Sequence, residues 1–295
     1  MNLTQEDLDL LSEKKISTEE VLRQLNLYRN PPGFARISKP CTVGDGILRL
    51  KKDDLSRLVA LHDKVAGEGR VTKFEPASGA ATRMFKDLLP FLLGKAEDAD
   101  RSGFDRFIEG LARFPFFREL QNQLESTGAD LDHLLASGEY KPVLDALLSE
   151  NGLGYSALPK GLLPFHRYGD RYRTAFEEHI VEAASYARDS RGVCRMHFTV
   201  SAEHLAGFTT HFRDVALDYM DRFHAQFDIG CSNQKPSTDT LAVTFDNEPF
   251  RTADGSLLFR PGGHGALIEN LADLDGDIVF ILSLIHISEP TRPPS

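Results

Sequence analysis

The stretch KFEPASGAATRMFKDL, residues 73–88, decides how the chain is read. Val71 to Ala77 has the pattern of a strand, Ser78 to Ala81 that of a small-residue turn, and Thr82 to Leu93 that of a helix. A strand handing over to a helix in this way opens an α/β unit. The turn also suggests chemistry. Backbone N–H groups in a bend free of bulky side chains can wrap an anion, and a helix start behind them adds a favourable dipole. Arg83 would then neutralise anionic oxygens through two parallel hydrogen bonds. Ser78, Gly79, Ala80, Ala81 and Thr82 are thus candidate anion-binding residues. The stretch has neither the G-x-x-x-x-G-K-[ST] pattern nor G-x-G-x-x-G, so neither a Walker loop nor an NAD-type fingerprint is read here. Taken alone it also fits plain strand-to-helix packing.

Working outward, residues 1–66 read as a helical N-terminal extension. Thr4 with Glu6 and Asp7 marks one helix start, Ser17 or Thr18 with Glu20 marks another, and Asn30-Pro31-Pro32-Gly33 breaks the pattern. Leu55, Leu58, Val59, Leu61 and Val65 recur at helical spacing. Residues 67–281 read as an α/β domain with a helical insertion over about 94–157, in which Phe104, Phe107, Leu111 and Phe114 are core positions. A turn is expected over Leu158 to Pro164. Then come the helix RTAFEEHIVEAASYAR, the strand VCRMHFTVS and the helix AEHLAGFTTHFRDVALDYMDRF. Strand-like FDIGCS and TLAVTF follow, with a hairpin near Asp254-Gly255, the short helix GALIENLADL and the apolar strand DIVFI. Strands separated by helices predict a mostly parallel sheet with helices on both faces.

The chain's 295 residues carry a formal charge of −10, which argues against a nucleic-acid surface, since phosphate backbones need a basic footprint. Three scattered cysteines, Cys41, Cys194 and Cys231, form no disulfide framework, and a cytoplasmic location is expected. No apolar run reaches the roughly 20 residues needed to cross a bilayer, so no membrane partner is expected.

A second stretch, ALPKGLLPF at 157–165, presents Lys160 in a Pro-Lys-Gly turn beside an apolar strip, where an ammonium can hold charge that develops on a phosphoryl group. Read in order, S-G-A-A-T-R-M and P-K-G-L-L-P-F resemble the G-x-G-T-R…P-K signature of sugar-nucleotide pyrophosphorylases. SNQKPSTDTLAV resembles the segment carrying their base-reading glutamine and proline, here Gln234 and Pro236. RPGGHGAL resembles their P-x-G-N-G-G-L turn, with His264 where asparagine is usual. The pattern over residues 1–281 is similar to the uncharacterised bacterial domain-of-unknown-function family 4301.

The resemblance implies a Rossmann-like nucleotidyltransferase fold of the GT-A type and transfer of a nucleotidyl group from a nucleoside triphosphate to a sugar 1-phosphate, uridylyl-type, with pyrophosphate released. It implies that Gly79 to Thr82 line the phosphates, that Arg83 and Lys160 are catalytic, and that Gln234, Gly262, Gly263 and His264 face the nucleotide. It also implies Mg²⁺, held by an aspartate after DIVFI. Ala81, in place of the second glycine, and the long spacing from Arg83 to Lys160 depart from the family pattern. A protein of the same fold that binds nucleotide or sugar phosphate without catalysis is the alternative.

Leu282 to Arg292 matches a translated sequencing adapter, so residues 282–295 are read as non-native, the domain as truncated and this chain as inactive. The remaining candidates have plain readings. His204 and His211 lack a third metal ligand in register. His197 is a satisfied core histidine, Ser201 a helix cap, and Glu177 and Glu178 exposed helix positions. RYGDRYR, residues 167–173, is a solvated turn, with contact to a sugar phosphate as the alternative.

Overall fold

A computed structural model of the chain describes residues 3–79, 81, 84–95, 101–169, 171–274 and 276–282. In chain order these begin with α1 (Gln5–Lys14), α2 (Thr18–Arg29), the short pair β1 (Thr42–Val43) and β2 (Gly46–Ile47), and α3 (Lys52–Gly67). Next come β3 (Val71–Pro76), the single turn α4 (Leu89–Leu92), α5 (Arg101–Gly110), α6 (Phe117–Ser126), α7 (Leu131–Ser137) and α8 (Tyr140–Leu148). The hairpin β4 (Pro164–Tyr168) and β5 (Arg171–Thr174) leads into α9 (Ala175–Tyr186), β6 (Val193–Thr199), α10 (Leu205–Phe223) and β7 (Gln226–Ser232). Last are β8 (Thr240–Leu241), β9 (Phe259–Arg260), α11 (Ile268–Ala272) and β10 (Ile278–Ile281).

The chain divides into two units, one of residues 1–65 with 233–275, the other of 66–232 with 276–295. In the first, Leu11, Ile16, Val21 and Leu25 of the two N-terminal helices bury their apolar stripe against Leu241, Leu257 and Phe259. Thr4 caps α1 in a reciprocal box with Asp7, and Ser17 caps α2. Asp7 also accepts two hydrogen bonds from Arg251, each 2.8 Å, which joins α1 to the turn before β9.

The second unit holds a four-stranded parallel sheet, in the order β10-β3-β6-β7. Its register runs Thr72 beside Arg195, Val193 beside Gln226 and Ile278 beside Val71. The chain moves outward from β3 to β6 to β7, then returns to the other side of β3 for β10. In open α/β sheets ligands sit outside the carboxyl ends of the strands where such a reversal occurs, and the loop after β3 stands at that edge. Both α9 and α10 pack on one face, Phe176 and Phe208 meeting Phe198 of β6. Right-handed crossovers that run in one direction leave their helices on a common face. The insertion of α5 to α8 has its own aromatic core, in which Phe104, Phe107, Leu111 and Phe116 are buried.

Three sequence expectations change. The helix over 82–93 shrinks to α4, preceded by turns at 84–88, because Pro90 is tolerated only in a helix's first turn. The turn before Pro164 is the brief 3₁₀ turn Lys160–Leu162, and the polar residues beyond it pair as β4 and β5. TLAVTF contributes only β8 to a strand pair.

Candidate functional site

Backbone hydrogen bonds fix the loop after β3. Ala77 N–H donates to the Thr199 carbonyl at 2.8 Å, Lys160 N–H donates to the Gly79 carbonyl at 3.0 Å, and Ala81 N–H donates to the Leu158 carbonyl at 3.1 Å. Gly79 and Lys160, distant in sequence, are therefore backbone neighbours. Ser78 and Lys160 are half-buried, Gly79 is exposed and Ala81 is buried. Gly161, next to Lys160, has no room for a side chain, since a Cβ there would lie 2.6 Å from Phe208 Cζ. Ala80, Thr82 and Arg83 lie outside the described residues. The shortness of α4 removes the helix start that the dipole argument invoked, leaving backbone N–H groups and side-chain cations to meet an anion.

Gln234, Gly262, Gly263 and His264 belong to the other unit. There the Gln234 amide faces the Gly262 backbone. Oriented to satisfy both groups, its oxygen accepts from Gly262 N–H at 2.8 Å and its nitrogen donates to the Gly262 carbonyl at 3.3 Å. A Cβ on Gly262 would meet Ala266 Cβ at 2.9 Å and the Thr238 carbonyl at 3.0 Å, so packing alone accounts for that glycine. Gly263 precedes the 3₁₀ turn His264–Leu267.

Glu177 and Glu178, expected on an exposed face, are buried at the start of α9. Thr174 caps the helix in a box with Glu177, a pattern legible as Thr174-x-x-Glu177. Tyr219 donates its hydroxyl to Glu177 Oε1 at 3.1 Å, and His211 Nε2 lies 3.5 Å from Glu177 Oε2. Burial raises the Glu177 pKa, but His211 and the Thr174 N–H outweigh it and hold the carboxyl below its usual range. His166 Nδ1 lies 3.0 Å from Glu178 Oε1, while Arg173 donates to Glu178 Oε2 at 3.2 Å and stacks on Tyr168. Arg173 is therefore a buried partner rather than part of a solvated turn. His204 ends a 3₁₀ turn before α10, whereas His211 lies within α10. Ser201 makes no side-chain cap bond. His197, as expected, is satisfied, with Nε2 2.8 Å from Ser232 Oγ and its ring stacked on Phe74.

A cluster that sequence reasoning missed lies between β3 and α9. Lys73, Glu75 and His179 have no exposed surface, and the Glu182 side chain is 41% exposed. Lys73 Nζ donates to Glu182 Oε2 at 2.6 Å and to the His179 carbonyl at 3.0 Å, and lies 3.2 Å from Glu75 Oε1. His179 Nδ1 lies 2.9 Å from Glu75 Oε1 and 3.5 Å from Glu182 Oε2. Neither approach has hydrogen-bond geometry: both His179 ring nitrogens and both Glu75 oxygens are buried without a hydrogen-bond partner among the described residues. Burial pushes the Glu75 carboxyl up, and His179 and Lys73 offset only part of that. The same two neighbours, His179 foremost, hold Glu182 down at about 2. The available signals were two charges at alternate positions of an otherwise apolar strand and His179-x-x-Glu182 at helical spacing.

Glu75, His179 and Glu182 are the group among the described residues whose ligand atoms lie close enough, within 4.8 Å, to share an ion. Mg²⁺ takes oxygen ligands and keeps several waters, so a buried imidazole beside an ammonium does not suit it. The aspartate position that the resemblance places after Ile281 falls outside the described residues.

None of the curated proteins compared matches the chain. A family match covers residues 4–288, running past Ile281 into the adapter-like stretch. With nearly the whole length covered, the chain belongs to the family described as "Domain of unknown function (DUF4301)".

Proposed function

We propose that the loop pair Ser78–Ala81 and Pro159–Gly161 binds the phosphates of a nucleoside triphosphate, in an enzyme that transfers its nucleotidyl group to a sugar 1-phosphate. The observation that carries this reading is the Lys160 N–H to Gly79 carbonyl bond of 3.0 Å, which brings the two loops together at the carboxyl edge of the sheet. Small residues let backbone N–H groups approach phosphate oxygens, and the Lys160 ammonium offsets charge that builds on the transferred group. An oxygen of the sugar phosphate would form the new P–O bond to the α-phosphorus. The bond from that phosphorus to the bridging oxygen would break, and pyrophosphate would leave with its electron pair.

A uridylyl donor is the version carried by the sequence resemblance. Calorimetry with UTP on this chain tests the binding half, and an assay of pyrophosphate release with sugar 1-phosphates, on a family member that carries an aspartate after the strand matching β10, tests the transfer half. Lys160→Ala should weaken UTP binding about ten-fold or more, the scale of one lost charge-assisted contact. Absence of UTP binding, or binding unaffected by that substitution, would overturn the reading.

A second reading has its own support. Ala81, where the family signature has glycine, is buried and spends its N–H on the Leu158 carbonyl, so one donor of the phosphate cradle is already used. A protein that binds nucleotide or sugar phosphate without transferring it fits this arrangement. UTP binding by that family member without pyrophosphate release, for every sugar phosphate tried, would select it.

A further inference from the structure

We propose that Glu75, His179 and Glu182 form a site for a divalent transition-metal ion that accepts mixed nitrogen and oxygen ligands, of the Zn²⁺ or Co²⁺ kind. The site does not rest on the nucleotidyl-transfer reading.

Buried polar atoms in native proteins are nearly always paired, and an orphan one demands an explanation such as an ion or a water. Here the His179 ring nitrogens and the Glu75 oxygens have no hydrogen-bond partner among the described residues, although Glu75 Oε1 is ion-paired with Lys73, and both side chains have no exposed surface; each residue offers one ligand atom. They converge with Glu182, which lies one helical turn along α9 from His179. Metal bonds of about 2.0–2.2 Å, taken at octahedral to tetrahedral angles, separate neighbouring ligand atoms by roughly 2.9–3.5 Å. The distances from His179 Nδ1 to the two carboxylates, 2.9 and 3.5 Å, span that range.

Lys73 weighs on both sides of the question. Its ammonium already takes Glu182 Oε2 and the His179 carbonyl, so part of the negative charge is answered. One ammonium faces two carboxyl groups, and its recorded approach to Glu75 is to Oε1 alone, at 3.2 Å. The half-open side chain of Glu182 provides the route by which an ion and its remaining water ligands would enter. The imidazole ligand separates this site from the Mg²⁺ that the sequence resemblance implies, since nitrogen donors favour the later transition metals.

The chelator-treated 295-residue chain, titrated with Co²⁺ and followed by calorimetry and the cobalt d–d absorption, tests the assignment. One equivalent should bind with saturation, Zn²⁺ should displace it, and Mg²⁺ at the same concentration should not. His179→Gln and Glu182→Gln should each weaken Co²⁺ binding by about ten-fold or more, the minimum expected on losing a group that holds the metal. Glu182→Gln, at the half-exposed position, decides the matter if His179→Gln fails to fold, with the far-UV spectrum as the folding check. Absence of a saturable equivalent, or binding unchanged in the folded variants, overturns the site. UTP binding is a separate readout: if it persists while no Co²⁺ equivalent binds, the metal site falls and the phosphate reading stands.

Discussion

Asp7 does two jobs with one carboxylate, accepting from the Thr4 backbone in the α1 cap and from Arg251 across the first unit. The Arg251 hydrogen bonds lead in holding its pKa at about 2, against an ordinary 3.8. A depressed acid stabilises the fold above its unfolded value and loses that contribution as pH falls through the folded one. We therefore expect Asp7→Asn to lower unfolding free energy at pH 7 by about 1–2 kcal/mol, discounted because Arg251 is itself partly exposed. The penalty should shrink steadily between about pH 5 and pH 2. Urea unfolding at pH 7 and pH 3 checks this, and an equal deficit at both would refute it. The capping half of this role was legible from Thr4 and the acids behind it. The Arg251 half was not, because nothing local connects positions so far apart in sequence.

At the scale of elements, the turn Lys160–Leu162 is held against α10 by the missing side chain of Gly161. A Cβ there would lie 2.6 Å from Phe208 Cζ and 2.9 Å from Cε1. Phe208 is 2% exposed and packs on Phe176 and Phe198, so its ring has nowhere to swing. Gly161→Ala should cost about 1–3 kcal/mol, the range for overpacking a filled core. It should also weaken UTP binding, because the turn carries Lys160. Wild-type stability in a urea melt would contradict the packing account.

The strands β3, β6, β7 and β10 could be read from the sequence because short stretches of β-branched and aromatic residues, set between helical patterns, mark them. The hairpin β4–β5 could not, since His166, Arg167, Arg171 and Tyr172 form no apolar alternation and their ladder is with each other. The helix expected after Thr82 failed at Pro90, a local rule whose weight the apolar residues around it obscured.

For the molecule as a whole, the sheet places β3 and β6 between neighbours and leaves β7 and β10 at its edges. Central strands open only with the unit, whereas edges can fray singly. Amide exchange followed by mass spectrometry should show residues 71–76 and 193–199 protected about ten-fold or more beyond 226–232, and equal protection would rule this out. The division into two units also shows how far local reading reaches. The break near residue 66 coincides with the end of the helical N-terminal region, but the association of 233–275 with residues 1–65 depends on an apolar core shared between distant segments.

Sequence alone determined the parallel α/β character, the helical insertion, the cap at Thr4, a cap at Ser17 or Thr18, and the two loops that carry Gly79 and Lys160. Each is written in neighbours a few residues apart, where periodicity, capping and turn chemistry act. Tertiary structure decided that Lys73 and Glu75 face α9 rather than solvent, and that Glu177 and Glu178 are buried. It also brought the two loops together through two backbone bonds, Lys160 N–H to the Gly79 carbonyl and Ala81 N–H to the Leu158 carbonyl. A buried charge is tolerable only when distant partners answer it, and those partners are chosen by the packing of the sheet and its helices.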